Sequence, residues 1–277
     1  PFTSHQIRIK QPTFLITHQM LRGTLLLASK QRSRLRRCQF SSTAVPEVVK
    51  VTNHNNNIAV ITFDDQKMNA FTFSALKQWN KALDVAESAD AVAIFGNSRA
   101  FSAGFDLSIM GAGPSDNAAA MLQQGGELCC RLANFKRPVV LGATGHCLAL
   151  GAIMTFCCDY RVVVGDNPKL KTGMTEVAIG LPIPEFALAL GRERLAKPYL
   201  TRATNLAEVF DAQTTVAAGY YDVAVAEDKH REMTLALATG FGEYKRDPFL
   251  RTKKLVWGNK IEYALERLAS DVELFRP

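Results

Sequence analysis

From residue 58 onward the chain alternates short, unbroken apolar runs with longer stretches whose apolar residues return every three or four positions. Ile58–Phe63 is a β-branched run bounded by Asn55-Asn56-Asn57 and Asp64-Asp65, which predicts a strand. Thr72 stands before a segment with Phe73, Leu76, Trp79, Ala82 and Leu83 at helical spacing, so it predicts the N-cap of a helix. Ala91–Phe95 is a second buried strand, and 117–135 has helical periodicity that ends before Pro138. Val139–Leu141 predicts a strand, Ile153–Cys158 an apolar helix and Tyr160–Val164 a further strand. This alternation implies an α/β domain with a parallel sheet and right-handed crossovers. From residue 201 the signals become mainly helical, and Leu255–Phe275 is a charged amphipathic tail.

Composition narrows the class without changing this outline. A chain of 277 residues, 47% hydrophobic and 21% charged, buries a full core without disulfides or metals. It has no apolar run near the length that spans a bilayer. The net charge of +7 would favour an acidic partner if it were spread evenly. It is not, because residues 1–46 hold eight Lys and Arg (Arg8, Lys10, Arg22, Lys30, Arg32, Arg34, Arg36, Arg37) and no acid. The remainder holds 25 basic against 26 acidic residues, so the folded part offers no electrostatic case for nucleic acid. The segment 1–45 is Arg-rich, Ser-containing and acid-free, the pattern of a mitochondrial transit segment, with a solvated basic arm as the alternative. The cysteines form two adjacent pairs, Cys129-Cys130 and Cys157-Cys158, plus Cys147 and Cys38. No CxxC spacing or Cys/His cluster points to zinc or a disulfide framework, so they read as small apolar residues and no metal site is expected.

Two glycine-bearing turns follow buried strands. One is Ala100-Phe101-Ser102-Ala103-Gly104-Phe105-Asp106-Leu107; the other is Gly145-His146-Cys147-Leu148-Ala149-Leu150-Gly151-Ala152. Each leads into a helix, where backbone N–H groups lack intrahelical partners and can bind an oxyanion. On spacing alone, two ligand-free strand–helix turns fit equally well.

These two turns, with Cys158-Asp159-Tyr160-Arg161 and Asp166-Asn167-Pro168 after them, resemble the paired signatures of the crotonase (enoyl-CoA hydratase/isomerase) superfamily. The resemblance covers about residues 56–277. It implies a spiral of ββα turns over 46–200 with a helical trimerisation region over 201–277, assembled as a homotrimer or hexamer. It also implies an acyl-CoA substrate, coenzyme A entering only as part of that substrate and no permanently bound cofactor. The thioester oxygen would sit between the N–H groups of Ala103 and Leu150. Ser102, Gly104, Phe105, Asp106 and Gly151 would line the substrate, and Lys67, Met68 and Ala70 the coenzyme A end. Hydratases of the superfamily use two glutamates, which map onto Glu176 and Ile153; only the first is acidic here. Mitochondrial enoyl-CoA isomerases of the superfamily share that pattern. Leu150 stands where most members have Gly.

The resemblance therefore implies an isomerase that moves a 3-enoyl-CoA double bond to the 2 position in the mitochondrial matrix. A hydratase, or a catalytically idle subunit of a large mitochondrial assembly, are the alternatives. His146 is weighed as a base against a structural histidine, and Glu127 as a second carboxylate against a solvated helix face. Asp106 fits a helix cap, and Lys253, Lys254 and Lys260 read as either phosphate contacts or wet surface. The transit reading makes one direct prediction. N-terminal sequencing of the protein from mitochondria should give a start near Phe40–Ala44, and a chain beginning upstream of Met20 would overturn it.

Overall fold

The computed structural model describes residues 45–55 and 57–277, which excludes the basic segment 1–44 and the expectations that fall on it. Val45–Pro277 form one compact unit. In chain order its elements are β1 (Val49–His54), β2 (Ile58–Phe63), β3 (Ala70–Phe71), α1 (Phe73–Ala86), β4 (Ala91–Phe95), β5 (Ala100–Ser102) and β6 (Gly104–Phe105). There follow α2 (Leu107–Met110), α3 (Asp116–Ala133), β7 (Val139–Ala143), β8 (His146–Leu148), α4 (Leu150–Phe156), β9 (Tyr160–Val164) and β10 (Thr172–Gly173). After a 3₁₀ turn at Val177–Ile179 come α5 (Glu185–Gly191), α6 (Lys197–Ala203), α7 (Ala212–Ala218), β11 (Val223–Val225), α8 (Glu227–Gly242) and α9 (Arg246–Leu274).

The main sheet runs β1-β2-β4-β7-β9-β11, parallel throughout except for the antiparallel hairpin partner β1. Its strands are apolar on both faces because both are covered. Alternate residues of β2 divide cleanly: Ala59, Ile61 and Phe63 join the large core under α1, α3, α4, α5 and α9, while Ile58 and Val60 face the smaller core under α8. Thr72 caps α1 as expected, its side chain accepting from the Ala75 amide, and Ala75, Leu76, Trp79, Leu83 and Ala86 form the buried stripe.

What makes the fold a spiral is that the chain leaves the main sheet after β4, β7 and β9 for a brief strand in a second sheet. There β10, β8 and β5 pair in parallel. A third pairing joins β3 to β6. This is the crotonase-type architecture. The region from residue 201 belongs to the same unit: β11 completes the main sheet against β9, and Arg161 binds Asp222 through both Nε and Nη2 at 2.9 and 2.7 Å. Lys253, weighed as a surface phosphate contact, is instead buried in an ion pair with Asp159 at 2.9 Å that ties α9 to the start of β9. Lys260 pairs with Glu193.

One side chain holds the first crossover together. Asn69 is fully buried with φ +55°, and its Nδ2 donates to the carbonyls of Phe63, Ala100 and Phe101 at 2.7, 2.9 and 3.1 Å. It joins the end of β2 to β5 across the gap between sheets. Asn69→Ala strands these carbonyls and places a Cβ residue in a left-handed conformation that Asn tolerates better. The expected loss is on the order of 3 kcal/mol in urea unfolding, and an unchanged midpoint would refute the role.

Candidate active site

The second sheet delivers three chain segments to one place. β5 leads into Ala103-Gly104-Phe105, β8 into Ala149-Leu150, and β10 into Met174-Thr175-Glu176. The Ala149 amide donates to the Gly173 carbonyl at 3.0 Å, locking the entrance of α4 to the Glu176 segment. Ala149 itself has φ +49° and ψ −123°, a conformation a Cβ residue adopts at a cost of about 1–3 kcal/mol. That turn lets α4 begin at Leu150, whose amide has no acceptor among the described residues.

The paired-amide expectation is corrected at Ala103. The Ala103 N–H is already spent on the Met68 carbonyl at 2.9 Å. In the β3–β6 ladder, Phe71 is opposite Phe105 and its carbonyl accepts from Asp106 at 3.1 Å. In a parallel ladder the residue opposite such a partner turns its own N–H and C=O away, so the Phe105 N–H faces outward from β3. The Gly104–Phe105 peptide is also the one lying against α4: a Cβ on Gly104, which has φ +95°, would come within 2.6 Å of the Ala149 Cβ and 3.3 Å of the Leu150 nitrogen. The amide that accompanies Leu150 is therefore that of Phe105, two residues beyond the one read from sequence.

The Leu150 side chain does not fill the site. It is fully buried and lies against α3, its Cδ2 3.2 Å from where a Cβ of Gly125 would sit. The same Cβ would fall 2.3 Å from Cζ of Phe105. Gly125 thus makes room for both residues whose amides are free.

Beside these amides is a cavity of about 250 Å³, lined by Ala103, Phe105, Ala149, Ile153, Thr175 and Glu176 at one part of its wall. Leu107, Met110, Leu122, Leu181, Phe186 and Phe275 supply much of the rest. Glu176 is 9% exposed, and its Oε2 has no hydrogen-bond partner among the described residues. Burial pushes its pKa up to about 7, with a hydrogen bond from its own backbone amide pulling weakly the other way. The backbone is fixed by Ile179 and Leu181, whose amides both donate to the Glu176 carbonyl at 3.1 and 2.9 Å, and by Gly180 at φ +83°, which closes the 3₁₀ turn. Among the described residues no other carboxylate lines the cavity, and Ile153 of α4 is part of its wall.

Other expected residues serve the scaffold or lie elsewhere. Ser102 is buried, its Oγ donating to Asn69 O at 2.7 Å and accepting from Gly104 at 3.0 Å. Gly151 packs on it, with a Cβ there meeting the Ser102 carbonyl at 2.8 Å. Asp106 caps α2 through the Ser108 amide at 2.9 Å. Lys67 and Ala70 line one surface cleft with Asp64 and Asp65, and Met68 another with Arg99, His146 and Lys169. His146 is therefore outside the Glu176 cavity, and Glu127 is exposed on α3, accepting from Gln123 at 3.0 Å. The five described cysteines are buried and free, and burial pushes the thiols of Cys130 and Cys147 up to about 12. Among the described residues no cluster of His, Cys, Asp and Glu suits a metal, and no helix is long and apolar enough to cross a membrane.

The family model described as enoyl-CoA hydratase/isomerase matches residues 53–275. Over 176 residues the chain is 26% identical to enoyl-CoA delta isomerase 1, mitochondrial, of Mus musculus, covering 62% of this chain and 61% of that protein. The chain thus spans less than two thirds of that relative's length. Over 216 residues it is 29% identical to 2,3-dehydroadipyl-CoA hydratase of Escherichia coli, covering 75% of this chain and 80% of that one. Among solved structures, a Mycobacterium tuberculosis protein described as an enoyl-CoA isomerase in one structure and as a probable enoyl-CoA hydratase in another superposes, in the first, with a TM-score of 0.75 at 33% identity, covering 81% of this chain and 98% of its own.

The raised Glu176 pKa carries a stability consequence. The folded carboxyl holds its proton until about 7, against 4.5 for an ordinary one, so its contribution is fully present below 4.5 and is lost as pH rises through 7. Glu176→Gln removes that dependence. Its stability relative to the native chain should be near equal at about pH 4 and ahead by about 3 kcal/mol at about pH 8. A pH-independent difference in denaturant unfolding would show that the carboxyl is not desolvated.

Proposed function

This chain belongs to the enoyl-CoA hydratase/isomerase family, and we propose on that premise that it is an isomerase converting 3-enoyl-CoA to 2-enoyl-CoA. The observation that carries the reading is the single carboxylate in an apolar cavity. Hydration needs one group to activate water and another to manage the proton at the α carbon. Shifting a double bond needs only one carrier: Glu176 takes the C2 proton, leaving a dienolate, and returns it at C4. The N–H groups of Leu150 and Phe105 hold the thioester oxygen while that charge exists. A donor of this kind typically contributes on the order of a hundred- to a thousandfold in rate. A carboxyl titrating near 7 is suited to both halves of the transfer near neutral pH.

Ile153 supports isomerisation over hydration, since it neither ionises nor positions water. The packing of Leu150 away from the cavity removes the main objection to an active enzyme, which weighs against an idle subunit. In this reading coenzyme A enters only as part of the substrate. Fatty-acid oxidation in the mitochondrial matrix, a homotrimeric or hexameric assembly and any mitochondrial assembly partner belong to the same proposal. The matrix location is supported by the acid-free segment 1–45 and by the similarity to a mitochondrial isomerase.

Purified protein should isomerise 3-enoyl-CoA faster than it hydrates 2-enoyl-CoA. Glu176→Gln, which keeps the shape, should lower isomerisation by a factor on the order of a thousand. Isomerisation undiminished in the variant would remove the base, and hydration faster than isomerisation in the native protein would make it a hydratase.

A further inference from the structure

Part of the cavity wall comes from the residue that follows α9. That residue, Phe275, is 6% exposed and lines the cavity where no reacting group is found. Its position is built in. The Phe275 carbonyl accepts from the Ser115 amide at 2.8 Å, and Ser115 in turn caps α3, the helix that carries Leu122 into the same wall. One turn earlier, the Asp271 carboxylate accepts from the amides of Glu185 and Phe186 at 2.8 and 2.9 Å. Asp271 is 5% exposed and takes up two unpaired donors at the N-terminus of α5, beside Pro184 and Phe186, which also line the cavity. The end of α9 therefore fastens α3 and α5 around one space and adds a phenyl ring to its wall.

A space of about 250 Å³ is small for an acyl tail. At about 30 Å³ per water-sized group, it holds about eight non-hydrogen atoms. We propose that Phe275 is a specificity-determining residue that stops the acyl chain at a medium length, about eight carbons, with Asp271 as the positioning residue that holds its turn against α5. This rests on the acyl-CoA reading of the Glu176 cavity and sets which acyl-CoAs that cavity accepts. A tail in contact with apolar walls gains about fourfold in affinity for each methylene it buries, and the gain ends where the wall is met.

The test is a length series of saturated acyl-CoAs, from about four to about sixteen carbons, bound to the full chain and read by calorimetry. Binding needs no turnover, so the result does not depend on whether the enzyme isomerises or hydrates. In the native protein, affinity should climb about fourfold per methylene and break near about eight carbons. In Phe275→Ala the break should move outward by two or more methylenes, raising the dodecanoyl-to-octanoyl affinity ratio at least about tenfold. Phe275→Leu, which keeps an apolar contact for the fold, should give a smaller shift in the same direction. A native series without a break, or a break unmoved in both variants, overturns the proposal. If no member of the series binds, it is the acyl-CoA reading that fails. Asp271→Asn should broaden the length preference while leaving the Glu176 pH profile of turnover in place; a preference as sharp as the native one would deny Asp271 its positioning role.

Discussion

The parallel ladder β10–β8–β5 is the constraint on which the site depends. Three strands of three residues or fewer bring together chain segments that are far apart in sequence, and the segments leaving them are the ones that matter: Gly104–Phe105, Ala149–Leu150 and Met174–Glu176. So short a sheet has little stability of its own. It is held by features around it: the Asn69 amide on one flank, the Ala149-to-Gly173 hydrogen bond on the other, and the packing of Gly151 on Ser102 between them. The strained backbone at Ala149 is what lets α4 start at Leu150, whose amide has no acceptor among the described residues. Position, and not side-chain chemistry, is what the ladder supplies.

Against this rigid backbone stands one group that folding disfavours. An ionised carboxylate without a partner in an apolar cavity opposes the folded state above neutral pH. The surrounding structure accepts that cost because its other buried charges are paired: Arg161 with Asp222, Lys253 with Asp159, and Asp271 with two helix-terminal amides. The contrast is what singles out Glu176 for the proposed chemistry. Each of those structural charges has partners within hydrogen-bond reach, whereas Glu176, which lines the cavity, has an oxygen with no partner among the described residues.

Much of the scaffold was legible because it follows periodicity. Ile58–Phe63, Ala91–Phe95 and Tyr160–Val164 match the observed strands at both ends, and Thr72 caps its helix. The strands of two or three residues were too short for any window that could show a period, and β1 is polar over most of its length. The cavity wall from Phe275 was unreadable for another reason: it joins residue 275 to residues 115 and 185 through tertiary contacts that no local pattern encodes. Glu176 could be named from the resemblance, while its desolvation depends on which apolar side chains the fold gathers around it.

The displacement of the paired amide from Ala103 to Phe105 shows where reading by residue type ends. Every non-proline residue carries the same N–H, so the sequence marks the turn and leaves open which amide faces the ligand. That choice is made by ladder alternation, which gives the Ala103 N–H to Met68 and turns the Phe105 N–H away from β3. The same logic explains how Leu is tolerated at position 150. An amide donor does not require glycine; it requires that the side chain leave the cavity, and that requirement is met on a different helix. Gly125 supplies the space in which the Leu150 side chain and the Phe105 ring pack together, so the residue at 150 depends on the glycine at 125. Sites built from backbone donors are in this way governed by distant small residues, whose own positions carry no chemistry at all.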